Sequence, residues 1–121
     1  MGWLPGKHED DDRGDVGPRE ADALVREGAV LLDVREPAEW QAGHVAGALL
    51  VPLGQLEGRL AALPRDQLVV VICRSGNRSA TATSLLVRSG FDAVNLRGGM
   101  QAWSSAGLPL ETGDARPGTV V

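Results

Sequence analysis

The chain contains no tyrosine, one cysteine (Cys73), one lysine (Lys7), two histidines (His8 and His44) and four aromatic residues, Trp3, Trp40, Phe91 and Trp103. Each scarcity removes a class of chemistry. One thiol cannot form an internal disulfide, and a structural zinc site built from several thiolates cannot be assembled. A Schiff-base lysine would have to sit near the N-terminal end, at Lys7. Few aromatic side chains leave little surface for stacking on bases, and 12 basic against 16 acidic residues give a net charge of −4 that repels polyanions. Nucleic acid and membrane surfaces are therefore disfavoured as partners. The opening Met-Gly-Trp-Leu-Pro lacks the cationic and apolar regions of a signal peptide. Apolar runs such as residues 68–73 are far too short to cross a bilayer. These absences predict a soluble, cytoplasmic protein in a reducing compartment.

What is present organises into one domain, because 121 residues with 43% hydrophobic composition favour a single core. That core must be aliphatic. The first 15 residues hold five acids (Glu9, Asp10, Asp11, Asp12 and Asp15) against Lys7 and Arg13, so −3 of the net charge lies there. Lys-His-Glu-Asp-Asp-Asp has metal-binding residue types, but a like-charged run without apolar spacing reads as solvated disorder. The expected organisation is a disordered acidic tail over residues 1–14, a domain over 15–110 and a flexible, Gly/Pro/Thr-rich tail over 111–121.

Between the tails, helix and strand signals alternate, the pattern of an α/β fold with a largely parallel sheet. A helix is predicted from Pro18 to a stop at Gly28, with Ala21, Leu24 and Val25 inward. Residues 29–34 read as a buried strand, 36–42 as a short helix and 48–51 as a second short strand. Residues 53–63 read as a helix closed by Pro64. The apolar run 68–72 is the strongest strand signal, as for a central strand covered on both faces. Residues 77–89 form a helix stopped by Gly90, 93–96 a strand, and 100–106 a final helix.

Cys73 directly follows the strongest strand, in the segment Cys-Arg-Ser-Gly-Asn-Arg-Ser that leads into a helix. Open α/β sheets place ligands outside the carboxyl ends of their strands. In such a turn the amides of residues 74–78 converge, Gly76 supplies a positive φ, and the following helix points its positive end inward. The site suits an anion, either a ligand or the Cys73 thiolate. A free thiol titrates near about 8.5, and amides with the adjacent cations Arg74 and Arg78 are expected to lower that value.

This loop, together with Leu-Leu-Asp-Val-Arg-Glu at 31–36, Gly-His-Val-Ala-Gly-Ala at 43–48 and Leu-Arg-Gly-Gly-Met-Gln-Ala-Trp at 96–103, resembles the single-domain rhodaneses. The match covers about residues 15–110 in the family's order. The resemblance implies a five-stranded parallel sheet with helices on both faces. It also implies a sulfurtransferase in which Cys73 takes a sulfane sulfur from thiosulfate or a similar donor and passes it, as a persulfide, to cyanide or a thiol. By the same pattern, residues Arg74, Ser75, Gly76, Asn77, Arg78 and Ser79 would cradle the outer sulfur. No metal and no cofactor is called for. With no second cysteine, the acceptor must come from outside, such as a small thiol or a thioredoxin-like protein. The two arginines favour thiosulfate over mercaptopyruvate.

Other residues carry simpler readings. Asp33 and Arg35 are expected near the loop as structural residues that order the turn. His44 belongs to a structural turn, Gly98 and Gly99 to a tight strand-to-helix connection, Trp103 to the core, and Trp40 to the core or a pocket rim. Two other functions compete. A cysteine phosphatase or arsenate reductase would have five residues between cysteine and arginine, whereas four separate Cys73 from Arg78. A non-catalytic module of the same fold would typically lack the cysteine. Replacement of Cys73 by alanine is expected to leave the fold intact, since a loop thiol fills little core volume. Residue 73 packed away from solvent with its amides turned outward would contradict the reading.

Overall fold

The structure is a computed structural model and describes residues 15–121. The expectation of an acidic tail at 1–14 lies outside the described residues. The fold is α/β, with a five-stranded, wholly parallel sheet in the order β1-β5-β4-β2-β3. The strands are β1 (Asp15–Val16), β2 (Val30–Asp33), β3 (Leu49–Leu50), β4 (Val69–Ile72) and β5 (Ala93–Leu96). The helices are α1 (Pro18–Arg26), α2 (Pro37–Ala42), α3 (Leu53–Leu56), α4 (Asn77–Arg88) and α5 (Gly99–Ser105). No helix among the described residues is long and apolar enough to cross a membrane.

β4 sits at the centre because all four of its residues are apolar, β-branched and fully buried, which fits a strand covered on both faces. The alternation of side chains along it divides the core. Val70 and Ile72 pack with Leu31, Val94, Leu96, Met100 and Trp103 on the α1/α5 face. Val69 and Val71 pack with Leu32, Ala82, Leu86 and Phe91 on the α4 face. Cys73 continues the second set, so its side chain turns toward α4.

Three segments depart from the sequence-based expectation. β1 has only two residues, too few for a periodic signal, and forms because β5 offers an open edge: Asp15 pairs with Asn95 and Val16 with Leu96. The helix expected over 53–63 is α-helical only through Leu56 and continues as a 3-10 helix over Glu57–Ala62. Gly54 and Gly58 weaken that stretch, and the tighter turn still brings Leu56, Leu60 and Leu63 onto the core. Residues 111–121, expected to form a flexible tail, instead lie against the domain. His44 and Glu111 exchange backbone hydrogen bonds of 2.9 Å, and the Thr119 amide donates to the Ala42 carbonyl at 2.8 Å. Those partners are distant in sequence, so composition alone reads the segment as loose.

Candidate active site

The loop of residues 73–76 joins β4 to α4 at the carboxyl edge of the sheet. Gly76 adopts φ +108°, a left-handed conformation that turns the chain sharply into the helix. This turn aims donors at one atom. The Gly76 amide donates to the Cys73 Sγ at 3.1 Å, and the Ser79 hydroxyl donates to it at 3.2 Å. The backbones of Ser75 and Ser79 add to the stabilisation of negative charge on the same sulfur. Burial pushes the Cys73 thiol up, but these hydrogen bonds from Ser79, Gly76 and Ser75 outweigh it and hold the thiol below its ordinary value. Cys73 is 1% exposed and belongs to the core cluster. It is thus packed away from solvent, yet the amides turn inward, toward the sulfur.

The arginines do not behave as the sequence suggests. Arg78 forms a two-pronged ion pair with Glu39 of α2, Nη1 to Oε1 at 2.7 Å and Nη2 to Oε2 at 2.8 Å. Hydrogen bonding by the Arg78 guanidinium, against a smaller opposing effect of burial, takes the Glu39 carboxyl down to about 2. The pair raises Arg78 in turn. Glu39 also accepts from the Glu36 amide at 3.0 Å and closes the N-terminal capping box of α2. Arg74 is exposed, and its Nε donates to the Val121 main-chain oxygen at 2.8 Å. The largest influences that lower the thiol are neutral donors in the loop and first turn of α4, and Arg78 adds a Coulombic attraction while paired with Glu39.

Asp33 and Arg35 end β2 beside the loop, and both are fully buried. The Asp33 carboxylate accepts from the Arg35 amide and from Arg35 Nε and Nη2, the last at 2.8 Å. Arg35 Nη2 also donates to the Gly43 carbonyl at 2.8 Å, tying β2 to the end of α2. Asn77 and Ser75 are exposed. The His44 ring stacks on Trp40 with centroids 3.7 Å apart, and its Nδ1 lies 2.8 Å from the Trp40 carbonyl oxygen. No group of three or more His, Cys, Asp or Glu side chains able to hold a metal occurs among the described residues.

Sequence reasoning missed three contributors. Glu39 is legible only as a helix cap, whereas the fold makes it the partner of Arg78. Asn95 of β5 donates through Nδ2 to the Gly76 carbonyl at 3.3 Å. The Met100 and Gln101 amides donate to the Cys73 and Arg74 carbonyls at 2.7 and 3.0 Å. No local pattern signals these contacts, because β5 and α5 reach the loop from more than 15 residues away.

A buried sulfur that accepts from a backbone amide and a hydroxyl is arranged to favour a thiolate. Residues 17–106 match the family described as rhodanese-like domain. The chain is 42% identical over 85 residues to a sulfurtransferase of Allochromatium vinosum, covering 69% of this chain and 79% of that protein. It is 34% identical over 103 residues to the thiosulfate sulfurtransferase GlpE of Pseudomonas fluorescens, covering 84% of this chain and 94% of that one. The crystal structure of a rhodanese-related protein from Thermoplasma volcanium superposes with a TM-score of 0.76 at 33% identity, over 80% of this chain and 96% of that one. With the family matched over most of its length and the fold shared with its solved members, this chain belongs to the rhodanese-like domain family.

Proposed function

We propose that this protein is a sulfurtransferase that moves a sulfane sulfur from thiosulfate, or a similar donor, to cyanide or a thiol through a persulfide on Cys73. The observation that carries the reading is the convergence of the Gly76 amide and Ser79 hydroxyl on the Cys73 sulfur. In the first step the thiolate attacks the outer sulfur of thiosulfate, the S–S bond breaks, and sulfite leaves with the electron pair. Cys73 is left as a persulfide anion, and the loop amides oppose its charge. In the second step cyanide or a thiolate attacks the terminal sulfur. Thiocyanate or a new persulfide departs, and the Cys73 thiolate is restored. No net proton or electron is required.

The acceptor is external because Cys73 is the chain's one cysteine; a small thiol or a thioredoxin-like protein fits that role. Thiosulfate as donor is supported by the names of the relatives and by exposed Arg74 beside the nucleophile, with less help from Arg78 because Glu39 neutralises it. The same ion pair weighs against a phosphatase or arsenate reductase, whose loop arginine must be available to an oxyanion.

Mass spectrometry of reduced protein after thiosulfate treatment tests the reading. The expected product carries an added mass of about 32 Da, one sulfur, that Cys73→Ser abolishes and cyanide removes as thiocyanate. Failure to form this adduct would favour a non-catalytic binding module. Hydrolysis of p-nitrophenyl phosphate without thiocyanate formation would favour the phosphatase.

A further inference from the structure

The amides that face Cys73 are held by contacts on the opposite side of the loop. In a trans peptide the C=O and N–H point in opposite directions, so an atom that grips a carbonyl also aims the amide of the next residue. The Gln101 amide grips the Arg74 carbonyl at 3.0 Å, so the Ser75 N–H of the same peptide unit is directed away from α5, and the next amide along, that of Gly76, donates to the Cys73 sulfur at 3.1 Å. The Met100 amide grips the Cys73 carbonyl at 2.7 Å and fixes the preceding peptide in the same sense. The Gly76 carbonyl accepts from Ala80 at 3.1 Å and from Asn95 Nδ2 at 3.3 Å, which anchors the residue whose own amide donates to the Cys73 sulfur.

Two residues make this grip possible. Gly99 has φ +57°, and a Cβ there would overlap the Cys73 carbonyl oxygen and lie 2.7 Å from the Arg74 carbonyl carbon and oxygen. α5 can therefore touch the loop backbone only through glycine. Asn95 is buried, with its Oδ1 lacking any partner among the described residues. Native interiors seldom leave such an atom unsatisfied. The contact that its Nδ2 makes with Gly76 accounts for a carboxamide at a position where an aliphatic residue would otherwise fit the sheet.

We propose that Gly99 and Asn95 are positioning residues for Cys73, acting through the outward carbonyls of the loop to hold its amides on the sulfur. The inference rests on the reading of Cys73 as the reactive thiolate and names what sets its reactivity. The charged groups on the elements packed about the site are Arg74 on the loop, Arg78 on α4, Glu39 on α2, and Asp33 with Arg35 after β2. Neither position adds to or subtracts from that set.

The test is the pH dependence of Cys73 alkylation by iodoacetamide in the full chain, with circular dichroism to confirm folding. Gly99→Ala is expected to raise the midpoint by about one unit, a roughly tenfold slower reaction below it. Asn95→Leu is expected to slow the reaction about threefold there, without introducing positive-φ strain. Gly107→Ala places the same strain at the far end of α5, where nothing lies within 4 Å of the added atom. It is expected to lower the melting temperature and leave the midpoint unmoved. Parental midpoints in folded Gly99→Ala and Asn95→Leu would overturn the proposal. If Gly99→Ala does not fold, a parental midpoint in Asn95→Leu overturns it alone. Alkylation needs no sulfur donor, so the two readings fail separately. Shifted midpoints in a protein that takes no sulfur from thiosulfate would sink the transfer reading and support the positioning one; sulfur uptake with unmoved midpoints would do the reverse.

Discussion

Two neighbouring turns at the carboxyl edge of the sheet handle buried charge differently. After β2, Asp33 and Arg35 form an ion pair with no exposure to solvent, and three donor groups of Arg35 satisfy the Asp33 carboxylate. After β4, Cys73 is almost as deeply buried, but its hydrogen-bond partners are an amide and a hydroxyl, both neutral. A permanent buried charge needs a permanent counter-charge, and the result is a rigid brace. The sulfur instead sits among donors that remain uncharged whether it is a thiol or a thiolate. Cationic Arg78, the obvious alternative, is engaged by Glu39.

The comparison predicts that the brace can be broken only at the expense of the fold. Arg35→Leu strands the Asp33 carboxylate and is expected to lose about 3–5 kcal/mol in denaturant unfolding. Adding Asp33→Leu to that variant should recover much of the loss, because an apolar pair leaves no buried charge. Failure of the double variant to recover would mean that the Arg35 bond to Gly43 matters more than the ion pair.

The sulfur's surroundings should respond in titration more than in stability. Ser79→Ala removes a hydrogen bond to a charged group, worth about 1.5–3 kcal/mol to the thiolate, and should raise the alkylation midpoint by about one unit or more. Cys73→Ala, expected from the sequence to leave the fold intact, leaves the Gly76 amide and Ser79 hydroxyl unpaired in a packed site. It is expected to cost about 1–3 kcal/mol while remaining folded. Linkage gives a sign to check. Because the folded thiol lies below its ordinary value, the unfolded chain binds more protons between the two values. Stability relative to Cys73→Ser should therefore rise as pH increases from the folded value toward about 8.5, and the gain should vanish below the folded value.

The smallest effect is expected at Glu39→Gln. The ion pair is partly exposed, at 36% for the Arg78 side chain and 19% for Glu39, so its loss should cost about 1 kcal/mol at most. The wild-type contribution is present above the ordinary carboxylate range and disappears as pH falls toward about 2. Released from Glu39, Arg78 should strengthen the positive field and lower the KM for thiosulfate modestly. An unchanged KM would show that the loop amides alone attract the donor.

The fold was legible wherever one element carries its own signal. The apolar run of β4, Pro18 at the start of α1 and the glycine-bearing turn after Cys73 each act through local sterics or local burial, so their positions follow from order along the chain. The placement of Cys73 at a strand's carboxyl end follows in the same way. Cooperative features were not legible: β1 exists through β5, the final segment is held by His44 and Ala42, and Glu39 is captured by Arg78. By itself the sequence determined that one thiol would sit in a tight strand-to-helix turn at the carboxyl end of the central strand. Only the tertiary structure decided that neutral donors, braced from Asn95 and the start of α5, surround that thiol, because hydrogen-bond direction depends on chain segments that meet only on folding.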